Sequence, residues 1–247
     1  MEFLHSKELL GIREDEQHLE DQECLKIFMD NLIYDEHNQN YVVGLPWRPN
    51  KHLLPSNLGI AEKRLDQLRR KFMANPEYGI AYNAKIQELH KLQFIEQVKQ
   101  DTPLGDITHY LSHSGILKTE SETTALRVVM DGSCKSYASA ILLNDCLFTG
   151  PNLLGDMLQC LMSFRQEKFA LSADIEKAFL KLQLRIEDRD ALRFLFPKDI
   201  TDPYSEYVVY RYRVVVFGAS CSPFLLGAVI KKHIENFVKD EQFKQSL

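Results

Sequence analysis

Cysteine is sparse in this chain and never clustered. The five residues Cys24, Cys134, Cys146, Cys160 and Cys221 are odd in number and form no Cys-x-x-Cys pair. That argues against a zinc site and a disulfide frame, leaving reduced thiols of an intracellular, cytoplasmic protein as the expectation. Long apolar runs are also missing. The longest uncharged stretch, Val214 to Ile230, is broken by Gly218, Ser220, Ser222, Pro223 and Gly227. It falls short of the ~20 apolar residues of a membrane span, so no membrane is expected as a partner. No basic-then-apolar leader opens the chain, and no secretory signal is predicted. Internal repeats, low-complexity tracts and long Lys/Arg runs are absent as well, so no strong electrostatic footprint for nucleic acid stands out.

What remains is ordinary globular material. Hydrophobic residues make up 45% of the 247 and charged residues 26%, enough for one large domain or two modest ones with a buried core. Charge is unevenly placed. Residues 1–40 carry 3 Lys/Arg against 11 Asp/Glu, and the rest carries 27 against 24. The overall −5 therefore joins an acidic leader to a mildly basic body. Mild basicity is compatible with a nucleic-acid partner without establishing one.

Along the chain, Leu25, Phe28, Met29, Leu32 and Ile33 recur at helical spacing and predict a helix over 20–33, solvated and leading into a linker. A short β-like run, Tyr41 to Leu45, closes at Pro46-Trp47. Leu65, Leu68 and Phe72 predict a helix over 60–72, with Arg69-Arg70-Lys71 on its polar side. Asn75-Pro76 reads as a cap and first-turn proline opening a second helix to about Leu92. Ile116 to Lys118 and Leu126 to Asp131 predict a β-hairpin with one cation on each arm, Lys118 and Arg127. Such a pair could grip a triphosphate, Arg through its planar fork and Lys as a point charge, or could be two exposed side chains. Leu154, Met157, Leu158, Leu161 and Met162 form a periodic stripe to Phe164, predicted to face the core. Further elements are a charged turn over 186–190, a strand over 192–196, a strand or strand pair over 207–217, and a helix over 224–238. The order suits an α+β sheet with helices on one face.

The stretch Phe169 to Phe179 concentrates the chemistry. An apolar run, Phe169 to Leu171, reads as a strand that ends at the carboxylate Asp174, and the segment beyond carries Phe179. A lone acid at a strand end is usually a cap or turn residue. It can also hold Mg²⁺, which takes a few carboxylate oxygens together with substrate phosphates.

Several motifs in order resemble the reverse transcriptases of BEL/Pao-class LTR retrotransposons. They are His109-Tyr110-Leu111-Ser112-His113, Thr123 to Ser133, Leu143-Asn144-Asp145, Gly150-Pro151-Asn152-Leu153, Ser172 to Phe179, Tyr210-Arg211-Tyr212 and Phe217 to Phe224. Upstream, Leu45-Pro46-Trp47, Leu54 to Asn57 and Ala61 to Leu65 resemble the connector placed before the polymerase. The resemblance implies an α+β right-hand polymerase, fingers and palm, incomplete, with an acidic N-terminal connector over 1–45 and a partial reverse transcriptase domain over 46–247. It implies that Asp174 is the first palm carboxylate on two divalent cations (Mg²⁺) and that the Ile175 carbonyl reaches one of them. It further implies that the Lys177-Ala178 turn offers amides to the triphosphate. Phe179 would be the gate against a ribose 2′-hydroxyl, and Arg127, four before Asp131, the fingers arginine on the phosphates, with Lys118 as its partner. Phe217 and Gly218 would shape the floor under the nascent base pair.

The same resemblance implies RNA or DNA template-primer, dNTPs and the rest of a pol polyprotein as partners, within a cytoplasmic virus-like particle. Two cations ~4 Å apart would activate the primer 3′ hydroxyl and stabilise leaving pyrophosphate. That needs further carboxylates, which the family carries in a Tyr-x-Asp-Asp hairpin. This sequence has no Asp-Asp dipeptide and stops at Leu247. The expectation is a polymerase fragment inactive as the isolated chain. The rival expectation is a non-catalytic remnant retained to bind nucleic acid or protein.

Overall fold

A computed structural model describes residues 14–99, 102, 105–117, 126–135, 139–166 and 168–238. Helix α1, Glu14–Asn31, is longer than the apolar spacing suggests. Cys24 and Phe28, one turn apart, are buried, whereas Leu25 and Met29 face solvent. Arg48 holds the acidic outer face through two 2.6 Å hydrogen bonds to Glu20. Strands β1, Ile33–Asp35, and β2, Asn40–Val43, follow as a tight antiparallel pair. The first of them escaped the sequence reading, because three residues are too few to show an alternation.

Helices α2, Leu58–Ala74, and α3, Pro76–Lys91, match the periodicity closely. Asn75 separates them, and its Oδ1 accepts the Tyr78 amide at 3.0 Å, so the predicted cap is in place. Their inner faces (Leu65, Leu68, Phe72, Tyr78, Tyr82, Ile86 and Leu89) are buried.

Among the described residues, three small sheets hold the rest. Strand β6, Gln183–Leu184, pairs parallel with β2 and completes the first. The second has the order β3 (Ile95–Gln97), β8 (Tyr207–Tyr212), β7 (Arg193–Pro197), all antiparallel, with Phe194 opposite Tyr210 and Phe196 opposite Val208. Every residue of β7 is buried. The third is the predicted hairpin, β4 (Ser112–Leu117) and β5 (Leu126–Asp131), with Ser112 opposite Asp131 and Ile116 opposite Arg127. Helix α5, Ser222–Val238, packs back on α1, Phe28 meeting Phe224 edge-on at 5.6 Å.

A buried ionic knot ties the second sheet to the turn before it. Asp190, fully buried, accepts from Arg193 and Arg211 at 2.9 Å each and from the Gly105 amide at 2.6 Å. Glu96 accepts from Arg211 at 2.8 Å on the far side. Burial alone would raise the Asp190 carboxyl. The bonds from Arg193, the Gly105 amide and Arg211 outweigh it and hold the group below the usual carboxylate range.

Two expectations are corrected here. The stripe on helix α4, Met157–Gln166, does not face the core: Met157, Leu158, Leu161 and Met162 are all exposed. The helix forms because its spacing is helical and Asp156 accepts the Leu158 and Gln159 amides at 2.7 and 3.2 Å. Periodicity fixes which residues share a face but not what that face meets. Likewise, no strand forms at 169–171, where Phe169 is 81% and Leu171 96% exposed. An apolar run becomes a strand only where a neighbour pairs its backbone, and among the described residues none pairs with this one.

Candidate active site

The hairpin is seated on α3. The Tyr78 hydroxyl bridges the Gly115 carbonyl and amide, each at 3.1 Å. Deeper in, the Tyr82 hydroxyl lies 2.5 Å from His113 Nδ1, and His113 Nε2 lies 2.8 Å from the Leu195 carbonyl. A carbonyl only accepts, so Nε2 carries the hydrogen and Nδ1 accepts from Tyr82. The ring packs against Phe194 and Tyr82 at 5.3 and 5.8 Å, and desolvation lowers its pKa to about 4. It is therefore a neutral strut at physiological pH. On this platform Arg127 projects into solvent and Asp131 ends β5, taking the Ser133 amide at 2.9 Å. Lys118 lies outside the described residues.

The base of the hairpin meets the turn after β8. Gly218 has φ +105°, a conformation open to glycine, and a Cβ there would collide with the Met130 carbonyl oxygen. A Cβ on Gly132 would sit 2.7 Å from the Gly218 oxygen. Two backbones thus touch with no side chain between them, which requires both glycines. Asn144 stands beside this contact. Its Nδ2 lies 3.2 Å from both Ser133 Oγ and the Gly218 oxygen, and its Oδ1 accepts the Ser220 amide at 2.9 Å.

Phe217, 63% exposed, leans edge-on against Phe179 with ring centres 4.4 Å apart. Phe179 is placed by a one-turn 3₁₀ helix, Ala178–Lys181, which closes when the Leu180 amide bonds the Lys177 carbonyl at 2.8 Å. The Val215 amide then bonds the Leu182 carbonyl at 2.9 Å, so the segments carrying Phe179 and Phe217 run side by side. Lys177 enters this turn at φ 54°, a left-handed conformation unusual for a side chain of its size. Its Nζ lies 3.3 Å from Glu176 and 3.7 Å from Glu88.

Phe179, Phe217, Gly218 and the Asp131 end of β5 are thus gathered from three distant stretches of chain. Asp174 and Ile175 are placed differently. Both are exposed, in a segment without regular structure, and Ile175 is 53% accessible. Among the described residues no group of three or more His, Cys, Asp or Glu side chains forms a metal cluster. One carboxylate and one backbone carbonyl cannot by themselves fill the coordination of two Mg²⁺ ions, each wanting six oxygens. The donors present do not complete the set that the resemblance implies.

No protein-family model and no curated protein matches the chain.

Gly132 and Asn144 carry no site role in the sequence reading, although both fall inside motifs that resemble the family. A turn glycine and a loop asparagine are common, and only the fold shows that both meet Gly218, far along the chain. No described helix is long and apolar enough to cross a membrane.

Proposed function

We propose that the chain is the fingers and palm portion of an RNA-directed DNA polymerase, related to BEL/Pao-class retrotransposon reverse transcriptases. The observation that carries this reading is the gathering of Phe179, Phe217 and Gly218 against the base of the hairpin that bears Arg127 and Asp131. These positions follow from sequence resemblance alone, without reference to distance, yet Phe179 meets Phe217 and Gly218 meets the base of the hairpin.

In this reading Arg127, with Lys118, neutralises the phosphates of an incoming dNTP. The Lys177-Ala178 turn presents amides to them, and Phe179, steadied by Phe217, crowds the position of a 2′-hydroxyl. Gly218 and Phe217 floor the nascent pair, with template-primer along the same face. Mg²⁺ would supply charge neutralisation at the phosphates, and Asp174 with the Ile175 carbonyl would contribute only part of the donor set it needs. Further carboxylates are required for turnover, so the 247 residues alone do not polymerise. Virus-like particles in the cytoplasm, shared with the rest of a pol polyprotein, are the corresponding setting.

Primer extension on an RNA template in Mg²⁺ tests the claim of inactivity: no dNTP incorporation is expected, and robust incorporation would overturn it. A second reading, a non-catalytic module retained for binding, draws support from the exposed apolar face of α4 and the solitary Asp174. A chain that binds template-primer with no added preference for dNTPs would favour it.

A further inference from the structure

We propose that Asn144 is the positioning residue of the nucleotide site. Its one carboxamide locks the base of the β4–β5 hairpin and the Phe217–Gly218 turn into a fixed register. The inference rests on the polymerase reading for the word nucleotide, while the coupling itself rests on geometry alone.

Three contacts define the orientation of the amide. The Gly218 oxygen only accepts and the Ser220 N–H only donates, so Nδ2 must face Gly218 and Oδ1 must face Ser220. The remaining Nδ2 hydrogen goes to Ser133 Oγ at 3.2 Å. A flipped amide would place oxygen against oxygen at Gly218. The backbone that carries Asn144 is itself anchored. Leu143, Cys146 and Leu147 around it are buried to 1% exposure or less, and the Cys146 carbonyl accepts the Arg48 amide at 2.8 Å. A rigid post therefore reaches out to two arms that also meet through a bare glycine-to-glycine contact.

Those two arms carry different parts of the site. One holds Arg127 and Asp131; the other holds Phe217, on which Phe179 leans. A carboxamide suits the post because donor and acceptor sit on one planar group. Asp in its place would keep the acceptor for Ser220, lose the donor, and set a carboxylate oxygen against the Gly218 carbonyl. Ala would lose everything.

Amide hydrogen exchange followed by NMR on the full 247-residue chain tests this. In Asn144→Ala, exchange at Ser220 rises at least about tenfold, with 130–133 and 217–220 loosening together while α2, α3 and β7–β8 keep their protection. In Asn144→Asp, Ser220 stays protected while Gly218 and Ser133 loosen. Unchanged exchange over 217–220 in Asn144→Ala would overturn the proposal. So would equal loss across the whole chain in both variants, the mark of simple destabilisation. Binding of Mg²⁺–dNTP in the presence of template-primer separates the two layers. An affinity about tenfold weaker in Asn144→Ala than in wild type supports both. Wild type that binds no dNTP, with the exchange pattern as stated, removes the polymerase reading and leaves the coupling role standing.

Discussion

His113 is where a single proton has the largest predictable effect. Its ordinary pKa of 6.5 applies to the unfolded chain, and desolvation lowers it to about 4 in the fold. Above pH 6.5 neither state is protonated there and the group costs nothing. Between 6.5 and 4 the unfolded chain takes a proton that the folded chain refuses, so stability falls as pH falls, by up to about 3 kcal/mol. His109, also buried and also lowered by desolvation, acts in the same direction. Asp188, raised by burial, acts oppositely just above its ordinary 3.8. Urea unfolding of wild type and His113→Gln across pH 4–7 checks this: the variant should be less stable at pH 7 and should show a shallower decline toward pH 4. Gly218→Ala is the second residue-scale case. At φ +105° with the Met130 oxygen in the way, it should cost more than about 1 kcal/mol, measured by the same unfolding experiment.

At the scale of elements, α4 and the second sheet behave oppositely under the same kind of substitution. Leu158→Ala and Met162→Ala on the exposed face of α4 should shift stability by no more than about 0.5 kcal/mol. Phe194→Ala, inside the fully buried β7, should cost about 3–5 kcal/mol. Thermal or denaturant midpoints decide both. This contrast also shows what the sequence could tell. Helices α2, α3 and α5, the hairpin and β7 were legible, because each announces itself through local spacing, a cap such as Asn75-Pro76, or a run of β-formers. The strands β1, β3 and β6, two or three residues each, were not, since their pairing is decided by what lies beside them. The apolar stripe of α4 and the run at Phe169 misled for a related reason. Apolar spacing records a need for burial, and the burying surface is set elsewhere in space.

For the whole molecule, the Asp190 knot joins residue 105, the 3₁₀ turn over 186–192, β7 and β8. Asp190→Ala leaves Arg193 and Arg211 buried without their shared carboxylate, and should lower stability by about 3–5 kcal/mol with loss of cooperative unfolding. Of the candidate site, the identities of Phe179, Phe217, Gly218, Arg127 and Asp131 were available from motif order. Their meeting through Gly132 and Asn144 was not, because it depends on the backbones of Gly132 and Gly218 approaching across a long stretch of chain. Asp174, the residue on which the sequence reading leaned most, lies in an exposed segment without regular structure.

On the polymerase reading, this face holds a deoxynucleotide beside Phe179. Equilibrium binding of matched dNTP and rNTP to the chain with an RNA/DNA template-primer tests it most directly. Wild type should prefer the dNTP by roughly 10- to 100-fold, and Phe179→Ala should bring the two affinities together. Equal affinities in wild type, or a preference that survives Phe179→Ala, would contradict it.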